Sequence, residues 1–311
     1  MATATQWIEG ARPRTLPAAV APVVAGSGLA WFVGSFSVGK ALLCLVVAVS
    51  IQIGCNYAND YSDGVRGSDA DRVGPFRLVG SGAVAPGRVR AMAWAWFGFA
   101  CLAGLVLVAA CGHWWLIGLG AACVAAAWFY TGGRRPYGYA GWGEFFVFVF
   151  FGLVASIGTA YVQDAWAAQP PEWVDPDAWS AMRAAFSGAA AASAVAMGCL
   201  ATAILVTNNL RDLQGDARVG KRTLATRMGD RATRWFDIAL VAMAGLAVVV
   251  AAALSTWWVL VGLAGLIPLI RPSGQVLARA SGRDLIAVLR LTGVSEFVVA
   301  VGMTLGWVIG R

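Results

Sequence analysis

Two short polar stretches interrupt an otherwise apolar chain, and both have the residue types that hold a hard metal ion. The first runs Asn56-Tyr-Ala-Asn59-Asp60-Tyr-Ser-Asp63, with Asp69 and Asp71 a little further on. The second runs Asn208-Asn209-Leu-Arg211-Asp212-Leu-Gln-Gly-Asp216. Asn208, Asp212 and Asp216 follow i, i+4, i+8, so on a helix they share one face; Asn59 and Asp63 repeat the i, i+4 step. Clustered carboxylate and amide oxygens suit an oxygen-seeking cation such as Mg²⁺, and no His or Cys accompanies them as zinc or iron would require.

Bases flank both clusters. Arg72 and Arg77 follow the first, and Arg211, Arg218, Lys221 and Arg222 surround the second. Acids alone would suggest a cation pathway. Acids interleaved with Arg and Lys suggest a metal-bridged polyphosphate, the acids holding the metal and the bases the phosphate oxygens. A diphosphate at a membrane face with its tail in lipid is what an isoprenoid diphosphate would present. The competing reading is that the charges only solvate loops and set topology. For single loop arginines the two readings weigh equally; carboxylates at the ends of spanning helices are costly, which favours function.

The elements that must position these residues are membrane helices. Of 311 residues, 59% are hydrophobic and 13% charged, against about 25% charged in soluble domains. Mean hydropathy is +0.70. This excludes a soluble enzyme, a disordered chain and a disulfide scaffold. A span needs about 20 apolar residues. Nine stretches approach that, near 16–34, 38–60, 91–111, 114–131, 143–163, 187–209, 235–254, 256–270 and 291–309. The expected fold is an all-α polytopic membrane protein, a single domain over 1–311.

Of the 23 Lys and Arg, all but Lys40, Arg183 and Arg311 fall on one side if the N-terminus is cytoplasmic. The net charge of +7 therefore reflects topology rather than a nucleic-acid partner. The six cysteines form no C-x-x-C pair and read as small apolar residues, and the single histidine, His113, lies in a break between apolar runs. No cationic segment precedes an apolar core at the N-terminus, so no cleaved signal is expected. The two polar helix ends, four helices apart, resemble a weak internal repeat.

The series of motifs resembles the UbiA-type membrane prenyltransferases, in particular the branch that prenylates 1,4-dihydroxy-2-naphthoate. It begins with Ala11-Arg12-Pro13-Arg14-Thr15-Leu16-Pro17, and includes Asn56 to Asp63, Gly67-Ser68-Asp69 and Arg72-Val-Gly74-Pro75-x-Arg77. Tyr130-Thr131-Gly132-Gly133, Gly141-Trp142-Gly143-Glu144 and Gly158-Thr-Ala-Tyr-Val-Gln163 come next. Asn208 to Asp212 and Gly220-Lys221-Arg222-Thr223-Leu224 close the series, which covers nearly the whole chain in order.

The resemblance implies nine helices around a central cavity and Mg²⁺-dependent transfer of a prenyl group from a polyprenyl diphosphate to an aromatic ring. It implies metal binding by Asn59, Asp60, Asp63, Asp69, Asn208, Asp212 and Asp216. Asp69 stands in for the wider family's second aspartate, whose position here is Gly67. Arg72, Arg77, Arg134, Arg135, Arg211, Lys221 and Arg222 are the candidate diphosphate ligands, and Arg12, Tyr130 and Glu144 the candidate acceptor contacts. Asp63, Asp212, Asp216, Lys221 and Glu144 are the candidate catalytic groups, Glu144 as a proton acceptor or hydroxyl-orienting group. Glu296, inside the last apolar run, has no such precedent.

For this acceptor the resemblance implies decarboxylation to demethylmenaquinone, in a bacterial plasma membrane with the site towards the cytoplasm. Membrane lipid is a partner, and an oligomer stays open. Two rivals remain. One is the same chemistry on 4-hydroxybenzoate, homogentisate or a tetrapyrrole alcohol. The other is a cation-coupled transporter, which would place its acids deep within spans and would not need phosphate-binding bases beside them.

Overall fold

The computed structural model describes residues 2–67, 76–164 and 176–311, the side chains of 176–186 excepted. All regular structure among the described residues is helical. A short α1 (Ala4–Gly10) and a 3-10 turn (Pro13–Thr15) lead into α2 (Leu16–Phe32), α3 (Val38–Val65), α4 (Pro86–Cys111) and α5 (Leu116–Phe129). A second 3-10 turn (Tyr137–Ala140) precedes α6 (Gly143–Val147), which runs through a π-helical stretch (Phe148–Val154) into α7 (Ala155–Val162). Then come α8 (Pro176–Arg218), α9 (Leu224–Ala253), a long 3-10 segment (Trp257–Leu269) continuing as α10 (Ile270–Leu277), and α11 (Asp284–Ile309).

Eight of these helical units are long and apolar enough to cross a bilayer, and α5, at 14 residues, is a shorter ninth. That matches the nine expected apolar stretches, with three differences in kind. The eighth stretch is mainly a 3-10 helix and reaches Leu277. The fifth is interrupted by a π turn, and α8 begins well before residue 187.

Burial follows the packing partners. The apolar window of α8 is 78% buried, against 28% for α3 and α4, so α8 is the central post and α3 and α4 are peripheral. It packs against α9, α11, α2 and the π-helical stretch. Because lipid tails are as apolar as Leu, membrane helices associate through close contact at small residues. A Cβ on Gly152 would stand 2.5 Å from the Cα of Gly198, and one on Gly302 would stand 2.7 Å from the Cα of Gly262. The second contact seats the 3-10 segment directly on α11.

Polar ties fasten each end. At one end Gln163 Oε1 accepts from the Ser37 amide (3.0 Å), and Asp164 meets both Lys40 and His113. At the other, Arg66 donates to the carbonyls of Thr131 and Gly133, and the Arg222 amide donates to the Tyr139 carbonyl (3.0 Å). Within the bundle, Thr207 on α8 donates to Asp237 on α9 (2.9 Å).

Candidate functional site

The two polar helix ends meet at the Arg66 end of the bundle, around a cavity of about 200 Å³. Asn59 and Asp63 line it from the last turns of α3, and Asn208, Asp212 and Asp216 from the last turns of α8. The α8–α9 turn brings in Lys221. Gly220, at φ +74°, reverses the chain, and the Lys221 amide caps the Asp216 carbonyl at 2.9 Å. Such a left-handed glycine after a helix end is a common C-terminal cap.

Lys221 joins the two clusters. Its Nζ is 3.5 Å from Asp63 Oδ1 and 3.6 Å from Asp216 Oδ1, and it lies over the Tyr139 ring, 4.5 Å from the centroid. On the other side of Asp63, Arg77 Nη2 is 3.5 Å from Oδ2. The Tyr139 hydroxyl donates to Asp63 Oδ1. Arg211 forks onto both oxygens of Asp212 at 2.7 Å and also donates to Asn208 Oδ1 at 2.8 Å. Asn59 Oδ1 accepts from Thr131 Oγ1 at 2.8 Å.

Arg12 also lines this cavity, from a left-handed backbone position (φ +52°) between α1 and the first 3-10 turn. Side chains of α3 tie that segment down. Asn56 Nδ2 donates to the Ala11 carbonyl (2.8 Å) and to Thr15 Oγ1 (3.0 Å), and Gln52 Nε2 donates to Thr15 Oγ1 (3.0 Å).

Several expected ligands lie elsewhere. Asp60 is fully buried and turned away, its carboxylate accepting from the amides of Leu78 (2.8 Å) and Val79 (3.0 Å). Asn59 faces the site because one residue step rotates a side chain by about 100°, and Asp63, three residues on, differs from Asp60 because the Leu78 and Val79 amides engage only the latter. Arg134, Arg135 and Arg222 are exposed and do not line the cavity. Glu144 is buried behind it, accepting from Asn209 Nδ2 at 2.9 Å, and Asn209 is the residue that faces the cavity. Asp69 and Arg72 lie outside the described residues. Glu296 is fully buried in α11, away from both cavities.

A second, apolar cavity of about 560 Å³ opens beside the polar one, between α2, α3, α4, α5 and the π-helical unit. Gln52, Asn59, Tyr130, Val147 and Phe151 line both. Tyr137 closes one side, donating to the Ala126 carbonyl at 2.8 Å, and burial pushes its phenol up, so it stays a donor. The pair of cavities, one charged and one greasy, fits an amphiphile with an anionic head.

The donor set also fits Mg²⁺. Among the described residues no three acids stand close enough together to hold an ion alone. Mg²⁺ is commonly held by one or two carboxylates with the remaining positions filled by substrate phosphates and water, so incomplete protein coordination beside Arg77 and Lys221 is the expected pattern.

Sequence reasoning missed Tyr139, Gln52, Thr15 and Thr131. For Gln52 a signal was present: Gln52, Asn56, Asn59 and Asp63 are spaced i, i+4, i+7, i+11, one continuous polar stripe on α3.

The chain is similar in sequence and in fold to known proteins. The chain is 49% identical over 303 residues to the 1,4-dihydroxy-2-naphthoate octaprenyltransferase of Mycobacterium tuberculosis, covering 97% of each. It is 39% identical over 241 residues to the Escherichia coli protein of that name, covering 75% of this chain and 72% of that one. In fold it is similar to a UbiA homologue from Aeropyrum pernix, with a TM-score of 0.67 and 13% identity over 94% of this chain and 97% of that one. It is also similar to a UbiA homologue from Archaeoglobus fulgidus bound to DMAPP and Mg²⁺, with a TM-score of 0.54 and 12% identity over 96% and 99%. Residues 19–294 match the UbiA prenyltransferase family, and the chain belongs to that family.

Proposed function

We propose that the protein transfers a long polyprenyl group, octaprenyl in the names of its relatives, from its diphosphate to 1,4-dihydroxy-2-naphthoate in the synthesis of menaquinone. The observation that carries this reading is the shared neck. A polar cavity lined by acids and bases continues through Gln52, Asn59 and Tyr130 into an apolar cavity nearly three times larger. A prenyl diphosphate lying across that neck has its head among charges, its tail in the greasy cavity and its allylic carbon between them.

Asp63, Asp212 and Asp216, with the amides Asn59 and Asn208, are the residues that would hold Mg²⁺ and, through it, the diphosphate. When bound, the metal supplies Lewis-acid neutralisation of the leaving diphosphate. Lys221 and Arg77 take phosphate oxygens and stabilise the charge that grows there as the allylic C–O bond breaks, its electron pair leaving with the diphosphate. Their ion pairs to Asp63 and Asp216 keep both cations in place before substrate arrives. The apolar walls exclude water from the allylic cation.

The naphthoate ring then forms the new C–C bond. The carboxyl group leaves as CO₂, and the electron pair that held it stays with the ring. By this electron count the product is the prenylated naphthoquinol, and demethylmenaquinone itself requires a separate two-electron oxidation. Arg12, at the cavity wall, is placed to attract the acceptor carboxylate. The loops at this end carry most of the Arg and Lys, which supports a cytoplasmic site and a cytoplasmic N-terminus in a bacterial plasma membrane.

The test is a product assay on purified protein in detergent or lipid, with dihydroxynaphthoate, octaprenyl diphosphate and Mg²⁺. The expected result is a prenylated, decarboxylated naphthoquinol or its oxidised quinone, with CO₂ release, both abolished by EDTA. Prenylation of 4-hydroxybenzoate instead would move the pathway and keep the mechanism. No product and no diphosphate release from folded protein would overturn the enzyme reading.

A further inference from the structure

The hydrogen bonds around Gln52 leave one acceptor unmatched where the two cavities meet. Thr15 Oγ1 gives its only hydrogen to the Arg12 carbonyl (2.9 Å), so towards its other neighbours it accepts. Asn56 spends Nδ2 on the Ala11 carbonyl and on Thr15 Oγ1, which leaves Asn56 Oδ1 as an acceptor. Gln52 must therefore present its NH₂ group to both, at 3.0 Å from Thr15 Oγ1 and 3.5 Å from Asn56 Oδ1. This pattern fixes the orientation of the amide, with Nε2 spoken for and Oε1 on the other side.

That Oε1 is buried and, among the described residues, meets no hydrogen-bond donor, in a residue only 9% exposed. Buried polar atoms of native proteins are nearly always paired, so an unmatched one at a cavity wall points to a ligand. Gln52 lines both cavities. A carbonyl oxygen can only accept. The ionised diphosphate offers only acceptors and the prenyl tail offers neither, so within this reaction the matching donor is a hydroxyl of the aromatic substrate.

We propose that Gln52 Oε1 accepts the hydrogen of one ring hydroxyl of the aromatic acceptor and thereby sets which edge of the ring faces the allylic carbon. This rests on the acceptor class proposed above. The hydrogen stays on its oxygen; the contact orients the ring and leaves it electron-rich. The Thr15–Asn56 bonds hold the amide in position, and Arg12, on the same tied-down segment, takes the carboxylate, so hydroxyl and carboxylate are recognised together.

The experiment uses full-length protein in detergent with Mg²⁺ and a fixed polyprenyl diphosphate. The acceptor KM is measured for 1,4-dihydroxy-2-naphthoate, and binding of 1-hydroxy-2-naphthoate and 4-hydroxy-2-naphthoate is measured by competition. In the native protein one of the two monohydroxy analogues should bind about tenfold more weakly than the parent, the discrimination expected of one hydrogen bond. In Gln52→Leu, and in Gln52→Met should the first not fold, the parent weakens to match that analogue. The analogue itself is unchanged, and the donor KM moves less than twofold.

Variants that keep the native ratio overturn the proposal, as does a native protein that favours the parent over neither analogue. A native protein that prenylates a different phenol and not the naphthoate refutes the acceptor reading alone. The same comparison with that phenol and its deoxy analogue then decides the role of Gln52. Prenylation of no phenol at all overturns both.

Discussion

Tyr139 donates its phenolic hydrogen to Oδ1 of Asp63 while its ring lies beneath the Lys221 ammonium, 4.5 Å from the centroid. One side chain from the α5–α6 loop thus orients an acid of the first cluster and a base of the second. The two contacts are separable. Tyr139→Phe removes the hydrogen bond and keeps the cation–π surface, whereas Tyr139→Ala removes both. A hydrogen bond to a charged group contributes about 1.5–3 kcal/mol, so Tyr139→Phe should lower kcat/KM by roughly 10- to 100-fold. Tyr139→Ala should lower it further and raise the donor KM, because Lys221 loses its platform. Equal kinetics for the native protein and Tyr139→Phe would show that Asp63 needs no such orientation.

Asp60 and Asp63 sit three residues apart on one helix and should behave oppositely. Asp60→Ala leaves the buried amides of Leu78 and Val79 without an acceptor, at about 1–3 kcal/mol each. Its thermal unfolding temperature should fall by several degrees, while kcat of the folded fraction stays within about threefold of native. Asp63→Ala should lose activity by at least about 100-fold with a much smaller shift in unfolding, since it loses pairs that face a cavity. Differential scanning fluorimetry beside the product assay distinguishes the two. Asp60→Ala with native stability and no activity would return Asp60 to the ligand set.

The contrast between these two residues also shows what the sequence makes legible. The spans, their number and the convergence of two acid clusters follow from hydropathy, charge placement and the i, i+4 spacing, because these are local and periodic. Which acid of Asn59-Asp60-x-x-Asp63 faces inward depends on where the Leu78–Val79 turn folds back, a contact between residues 18 and 19 positions apart. Tyr139 was invisible for the same reason, being 76 positions from its partner in a stretch with no periodicity of its own. The 3-10 character of Trp257–Leu269 is hidden too, since the segment is as apolar as an α-helix and its close backbone approach to α11, at Gly262 and Gly302, is a contact between residues 40 positions apart.

Gly120 lines the apolar cavity, and a Cβ there would meet nothing within 4 Å. Glycine inside a helix costs about 0.8–1.0 kcal/mol relative to alanine, and among the described residues no neighbouring helix comes close enough to require it here. Gly120 also borders the space proposed for the prenyl tail. Gly120→Leu should therefore narrow that space and lower kcat/KM for octaprenyl diphosphate by about tenfold or more, while geranyl diphosphate stays within about threefold. Gly120→Ala should leave both donors unchanged. Parallel loss of the long and short donors in Gly120→Leu would mean that the tail does not pass this point.

Glu144 raises the question of whether a base is present or a brace. Its Oε1 accepts from Asn209 Nδ2 at 2.9 Å, and it is Asn209, not Glu144, that lines the polar cavity. A proton-accepting role needs a carboxylate; a bracing role needs only an acceptor oxygen of the same reach. Gln supplies that oxygen and cannot act as the base. If Glu144 positions Asn209, Glu144→Gln should keep kcat within about threefold of native, and Glu144→Ala should lower it about tenfold, the cost of one buried hydrogen bond. A general base contributes about 100- to 10,000-fold, so a base would make Gln as damaging as Ala. The chemistry itself favours the brace. Loss of CO₂ returns an electron pair to the ring, so a base bound to the protein has no obligatory ring proton to remove. Measuring kcat for the two variants with the naphthoate, and again with an acceptor that retains its carboxyl group, separates the roles. A deficit in Glu144→Gln confined to the acceptor that must lose a ring proton would assign Glu144 to proton transfer, and equal retention on both would assign it to holding Asn209 in place.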